Sequence, residues 1–176
     1  LTRLLVLGNM AVKSMLEQGA IHAPLAIFLE EPLWPEHAVC VLEFVSVLFR
    51  VTAGKATDPA QQDGLLRWNA CKTIQQAVEN LRTHEHVVTA GLEAATSVAL
   101  HEDCAYMMAT STFTPSLVSL LAADTHHHLA LPILAFLARV VKLPTVVGLM
   151  GSQEGIMQTL VKTMATHEGD SEVHLF

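Results

Sequence analysis

The chain has 176 residues, 51% of them hydrophobic and only 15% charged, with a formal net charge of −7. Such a length and apolar content are enough for one domain with a sizeable core. The acidic balance and the lack of any Lys/Arg cluster exclude the phosphate-neutralising mode of nucleic-acid binding, which needs positive charge gathered on one surface.

Sparse charge over a mean hydropathy of +0.40 leaves little polar surface, so the chain is expected to be covered or flanked by more protein. It opens LTRLLVLGNM, without an initiator Met or a signal-peptide layout. It ends DSEVHLF, which reads as the start of another helix. Further repeats of the same chain are therefore expected on both sides. Cys40, Cys71 and Cys104 are widely spaced and form no CxxC. Scattered thiols in apolar contexts point to reduced, buried cysteines in an intracellular, cytoplasmic protein.

In chain order, AVKSMLEQ predicts a short helix, Gly19 a turn, and IHAPLAIFL a second helix with Ile21, Leu25 and Leu29 on one face. After EEPLWPEH comes the long helix HAVCVLEFVSVLFR. Its residues Val39, Leu42, Val45 and Phe49 share a core face, while Glu43, Ser46 and Arg50 share another with Val47 beside them. Thr52 to Gly64, TAGKATDPAQQDG, is rich in Gly, Pro, Asp and Thr and reads as an inserted polar loop.

The rhythm then resumes. QQDGLLRWN predicts a short helix, ACKTIQQAVENL a middle helix with Ile74, Val78 and Leu81, and VVTAGLEAATSVAL a long one. On the last, Leu92 takes the place of Leu42, and the polar stripe is Glu93, Thr96, Ser97 and His101. AYMMATS, FTPSLVSLL and LALPILAFLARVV repeat the series, with Phe113, Leu117 and Leu121 on the middle helix and Leu134 at the Leu42 place. There the stripe is Ala135, Arg139 and Lys142. Asp124 and Thr125 offer an N-cap to the third long helix, and Pro132 should kink that helix or mark its true beginning. VVGLMGSQ and IMQTLVKTM begin a further series with Ile156, Leu160 and Met164. The uncharged run Cys104 to Ala123 approaches the roughly 20 residues of a membrane span, but TSTFTPS with Pro115 interrupts it. Two helices joined by a polar turn are expected there instead, and no membrane span.

No segment alternates as a strand does, so the fold expected is all-α. Its unit is a short, a middle and a long helix recurring at roughly 40–50 residues, the period of three-helix solenoid repeats. Residues 1–176 read as a single solenoid segment.

EQGAIHAPLAIFL and STFTPSLVSLL, with GIMQTLVKTM as a looser copy, resemble the armadillo repeat family. HEAT repeats are the near competitor. The resemblance covers nearly the whole chain, as about three repeats with partial repeats at both ends, although Lys55 to Arg67 holds no clean copy of the Gly turn. It implies a right-handed α-solenoid whose third helices line a concave groove. Glu43, Ser46, Val47, Arg50, Glu93, Ser97, His101, Arg139 and Lys142 would then be the groove candidates. Armadillo proteins that carry import signals share a ladder of groove Asn and Trp; here Val47, Ser97 and Arg139 occupy those places. The resemblance therefore does not extend to import-cargo binding.

Chemistry finds little purchase. GxSxG, HExxH and GxxxxGK are absent. Consecutive helical side chains point about 100° apart, so His126, His127 and His128 cannot converge on one ion. Neither His84-Glu85-His86 nor the HEDC stretch His101–Cys104 supplies the three or four convergent ligands that zinc needs. The residues thus lead to a non-enzymatic scaffold without metal or cofactor, which binds another protein or peptide through its groove. The alternative is a structural component built permanently into a large cytoskeletal or axonemal assembly.

Overall fold

The computed structural model describes residues 14, 20–30, 34–53, 63–122, 127–152 and 155–166. Every regular element among them is helical. The Gly19 turn, most of the helix AVKSMLEQ, most of the loop 52–64, the Asp124-Thr125 cap and the DSEVHLF terminus lie outside the described residues. The chain divides into two compact units, Leu1–Cys104 and Ala105–Phe176.

In the first unit, α1 spans His22–Glu30, α2 Pro35–Thr52, α3 Gly64–Asn80 and α4 Glu85–Val98. α1 buries Leu25 and Phe28, with Ile21 just ahead of it; Leu29 is only half-buried. α2 begins with Pro35 at its first turn, where a missing N–H costs nothing, and carries Glu36 at its start and Arg50 at its end. Leu42, Val45 and Phe49 are fully buried as their spacing requires, whereas Val39 is half-buried.

Asp63 caps α3: its Oδ1 accepts the Leu66 N–H at 3.0 Å, satisfying one of the donors that a helix start leaves open. α3 then runs unbroken through 17 residues, so the expected division into QQDGLLRWN and ACKTIQQAVENL does not occur. Nothing between Arg67 and Thr73 can stop a helix, since RWNACKT holds neither Gly nor Pro. Second and third helices here form a two-helix hairpin, α3–α4, and α2 lies along α4. Gly91 makes that junction possible. A Cβ placed on it would come within 2.4 Å of Val78 Cγ2 and 3.9 Å of Leu42 Cδ1, so α4 meets α3 through bare backbone. Here glycine serves close approach, not an unusual dihedral.

α5, Glu102–Thr110, straddles the boundary between the units. The second unit continues with α6 Phe113–Ala122, α7 His127–Val140, α8 Pro144–Ser152 and α9 Ile156–Thr166. The α5–α6 turn falls in the hydroxyl-rich stretch that interrupts the uncharged run. Ser111 Oγ donates to the Met108 carbonyl at 2.9 Å and accepts the Phe113 N–H at 3.2 Å, and the buried Thr114 hydroxyl donates to the same carbonyl at 3.2 Å. Side chains thereby replace the backbone partners lost where the helix stops. Pro115 sits in the first turn of α6, where proline is tolerated.

Phe113 and Leu117 are fully buried on α6, and Phe113 meets Phe136 of α7 edge-to-face with ring centroids 5.5 Å apart. α7 continues through Pro132 instead of starting there. Gly155, at φ +90°, makes the turn into α9, a conformation that side-chain-bearing residues rarely adopt. No described helix is long and apolar enough to cross a membrane.

Candidate functional site

The outward stripe of the long helices follows from helical geometry. With about 100° per residue, Arg50 lies within about 20° of Glu43 around α2, Val47 about 40° to one side and Ser46 about 60° to the other. Glu43 and Arg50 are exposed and Val47 is half-buried. On α4, Glu93 follows Leu92 as Glu43 follows Leu42, and it too is exposed. Thr96, half-buried, turns its hydroxyl back to the Leu92 carbonyl at 2.8 Å.

Ser46 and Ser97 do not belong to that stripe. They are only 4% and 9% exposed, and their hydroxyl oxygens lie 3.1 Å apart across the α2–α4 contact, 51 positions apart in sequence. Ser97 donates its proton to the Glu93 carbonyl at 2.9 Å, which leaves Ser46 as the donor to Ser97. The chain Ser46 to Ser97 to Glu93 is a buried polar seam with every proton placed. Ser46 is buried because it is offset from Glu43 towards the side on which α4 packs. His101 is likewise no open groove residue, since its ring stacks edge-on against Phe49 at 5.5 Å and it is half-buried.

In the second unit Arg139 is half-buried near the end of α7 and Lys142 is exposed in the turn that follows. Of the nine candidates, Glu43, Arg50, Glu93 and Lys142 are exposed. These are single charges of mixed sign and form no site for chemistry.

The histidines and acids pair locally. His84 and His86 meet ring to ring at 5.9 Å, and His84 stands at the N-cap of α4 without a side-chain capping bond. His22 Nε2 lies 2.8 Å from Asp63 Oδ2, so Asp63 both caps α3 and holds α1. Among the described residues, no group of three or more His, Cys, Asp or Glu is placed to hold a metal ion.

Two features were not visible in the sequence. Arg67 of α3 reaches Asp103 of α5 at 3.0 Å. One turn further along α3, the buried Cys71 neighbours the buried Cys104. Cys104 and burial hold the Cys71 thiol far above its ordinary range, against the opposing pull of Arg67 and Lys72. Neither pairing has a local signal, because in each the partners lie more than 30 positions apart in sequence. The solvent face of α3 also shows Trp68, 47% exposed, with the Lys72 ammonium 5.7 Å from its ring centroid.

Comparison of the chain with protein-family models, with curated proteins and with solved structures finds no match in any of the three.

Proposed function

We propose that this chain is a segment of a right-handed α-solenoid of armadillo-type repeats, and that it serves as a non-enzymatic scaffold binding another protein or peptide. The observation that carries the reading is the α2–α4 contact. Two long helices about one repeat apart in sequence lie along each other, and Leu42 and Leu92, at equivalent places, are both fully buried. Glu43 and Glu93, also at equivalent places, are both exposed. Side-by-side stacking of equivalent helices is what lets repeats that cannot bury their own apolar faces share one core. It also repeats an outward position at each step, which gives a partner segment a periodic surface to read.

The candidate surface in the first unit is Glu43, Val47, Arg50 and Glu93. Crosslinking in the native source names the neighbour; capture of that neighbour by the full-length protein is then compared with the Glu43→Lys, Arg50→Glu, Glu93→Lys triple variant. The expected result is a loss of roughly tenfold or more in affinity, as for rim charges that steer and orient a partner, with an unchanged melting temperature. Equal capture by the variant removes the surface.

A second reading, a building block locked into a large cytoskeletal or axonemal assembly, draws on the apolar side chains left open in the first unit. Ile27 is 60% exposed, Trp34 63% and Leu65 61%. Behaviour in solution separates the two. A scaffold segment with its flanking repeats stays monodisperse after purification, whereas a locked-in component aggregates once its neighbours are stripped away.

A further inference from the structure

The solvent face of α3 joins exposed apolar side chains to a cation that no carboxylate answers. At about 100° per residue, Lys72 lies within about 20° of Leu65 around the helix and Trp68 about 60° to one side, so the three share a face about 10 Å long. Leu65 is 61% and Trp68 47% exposed, and the Lys72 ammonium stands 5.7 Å from the Trp68 ring centroid. The charge along this stretch has one sign. From Gly64 to Val78 the helix carries Arg67 and Lys72 and neither Asp nor Glu, in a chain with 17 acidic and 10 basic residues. Asp63, just ahead, is engaged by the Leu66 N–H and by His22. Arg67 is paired with Asp103, whereas Lys72 has no ion-pair partner among the described residues.

We propose that Leu65, Trp68 and Lys72 form a second docking surface, and that its occupant is an acidic segment of another protein anchored by a large apolar side chain. Charge complementarity selects the occupant. A carboxylate set against Lys72 meets a cation with no ion partner, whereas a basic segment meets Lys72 and Arg67 as like charges. The apolar anchor follows from Trp68. A half-exposed indole offers a broad apolar face and one N–H donor, and such rings carry much of the binding energy once their rim is sealed from water. Because the Lys72 ammonium lies beside the ring, a segment covering Trp68 and Leu65 brings a carboxylate to Lys72 when that acid sits within about one helical turn of the anchor. Trp and Lys also occur together at membrane surfaces. A chain of net charge −7 with one unpaired lysine on this face, however, lacks the basic cluster that holds a protein to anionic lipid. The surface shares no residue with Glu43, Val47, Arg50 and Glu93, and it stands or falls separately from them.

In the test, the full chain with photoreactive benzoylphenylalanine replacing Leu65 is crosslinked in the native source, and mass spectrometry reads the attached segment. A fluorescein-labelled synthetic peptide of that segment is then titrated into the Trp34→Phe protein, in which Trp68 is the sole tryptophan. The expected segment belongs to another protein and carries Asp or Glu within four residues of a large apolar side chain. Its binding moves Trp68 emission to shorter wavelength. By anisotropy of the label, Trp68→Ala and Lys72→Glu each weaken it roughly tenfold or more at unchanged melting temperature. Changing the peptide's acid to Lys restores most of the affinity for the Lys72→Glu protein and not for the parent. The Glu43→Lys, Arg50→Glu, Glu93→Lys triple variant binds the peptide as tightly as the parent; a loss there assigns the segment to that other surface and overturns this one. Absence of a crosslink, a crosslink to a second copy of this chain, a segment without an acid, or equal affinity for the Lys72→Glu protein each overturn the proposal. So does a Trp68 shift with phosphatidylserine vesicles and none with the peptide.

Discussion

The two units solve the same problem, joining successive helices, in different ways. Between Ala105 and Phe113 the chain stops one helix and starts the next within a few residues, using Ser111, Thr114 and Pro115 to supply hydrogen bonds and a ready-made helical start. At the corresponding place in the first unit, the helix from Gly64 continues without a break to Asn80. Both segments are apolar and both have helical periodicity. What separates them is local chemistry: hydroxyls and proline offer the backbone an alternative to its helix, and RWNACKT offers none. The first unit then compensates by packing. A long, unbroken α3 fits under α4 only because Gly91 brings the two backbones together over Val78, whereas the second unit fills its helix junction with two aromatic rings.

Breaking the second arrangement carries the largest effect. Phe113→Ala deletes a fully buried ring and its contact with Phe136, and should cost about 3–5 kcal/mol in urea unfolding. Hydrogen exchange resolved by peptide should rise in α6 and α7 far more than in α2 and α4; equal rises would mean that the two units do not unfold separately. Gly91→Ala tests the first arrangement. The added methyl raises helix propensity by about 1 kcal/mol, but overpacking against the stiff Val78 costs typically 1–3 kcal/mol. A net destabilisation of up to about 2 kcal/mol is expected, and a shorter side chain at Val78 should relieve it. Stabilisation by Gly91→Ala alone would show that the close approach is not needed.

The serine seam gives a smaller effect with a characteristic sign. Ser97→Ala strands the buried Ser46 hydroxyl and should cost about 1–2 kcal/mol, whereas the double change with Ser46→Ala should recover much of that loss. Additive costs would show that the two hydroxyls are independent. Smallest is Thr73→Val on α3. The Thr73 hydroxyl is fully buried and has no hydrogen-bond partner, so replacing it with a methyl of the same shape should stabilise the first unit by about 1 kcal/mol, read as a rise in the urea midpoint.

How far the sequence reached depends on which side of a helix is in question. Four-residue steps located the cores of α1, α2 and α6, and Ile21, Leu25, Leu42, Phe49, Phe113 and Leu117 are all fully buried. The ends of such steps were less secure: Leu29, Leu81 and Leu121, each in or just past the last turn of its helix, are half-buried. Of the candidate surface, Glu43, Arg50 and Glu93 were legible as charged positions about 80–100° around the helix from the buried Leu42 and Leu92. Ser46 and Ser97 were not. A residue about 60° from an exposed position is covered or open according to where the next helix lies, and periodicity within one helix carries no such information.

The sequence by itself determined that the chain is helical, where its apolar stripes run, and that the α5–α6 junction breaks, since these follow from side-chain spacing and from hydroxyl and proline chemistry within a few residues. Only the tertiary structure decided that α3 runs unbroken, that Gly91 is a contact point, that Ser46 and Ser97 face each other, and that Cys71 neighbours Cys104. Each of those depends on residues from different helices coming to the same place, and the free energy that brings them there belongs to the packing of whole faces, not to any stretch of sequence.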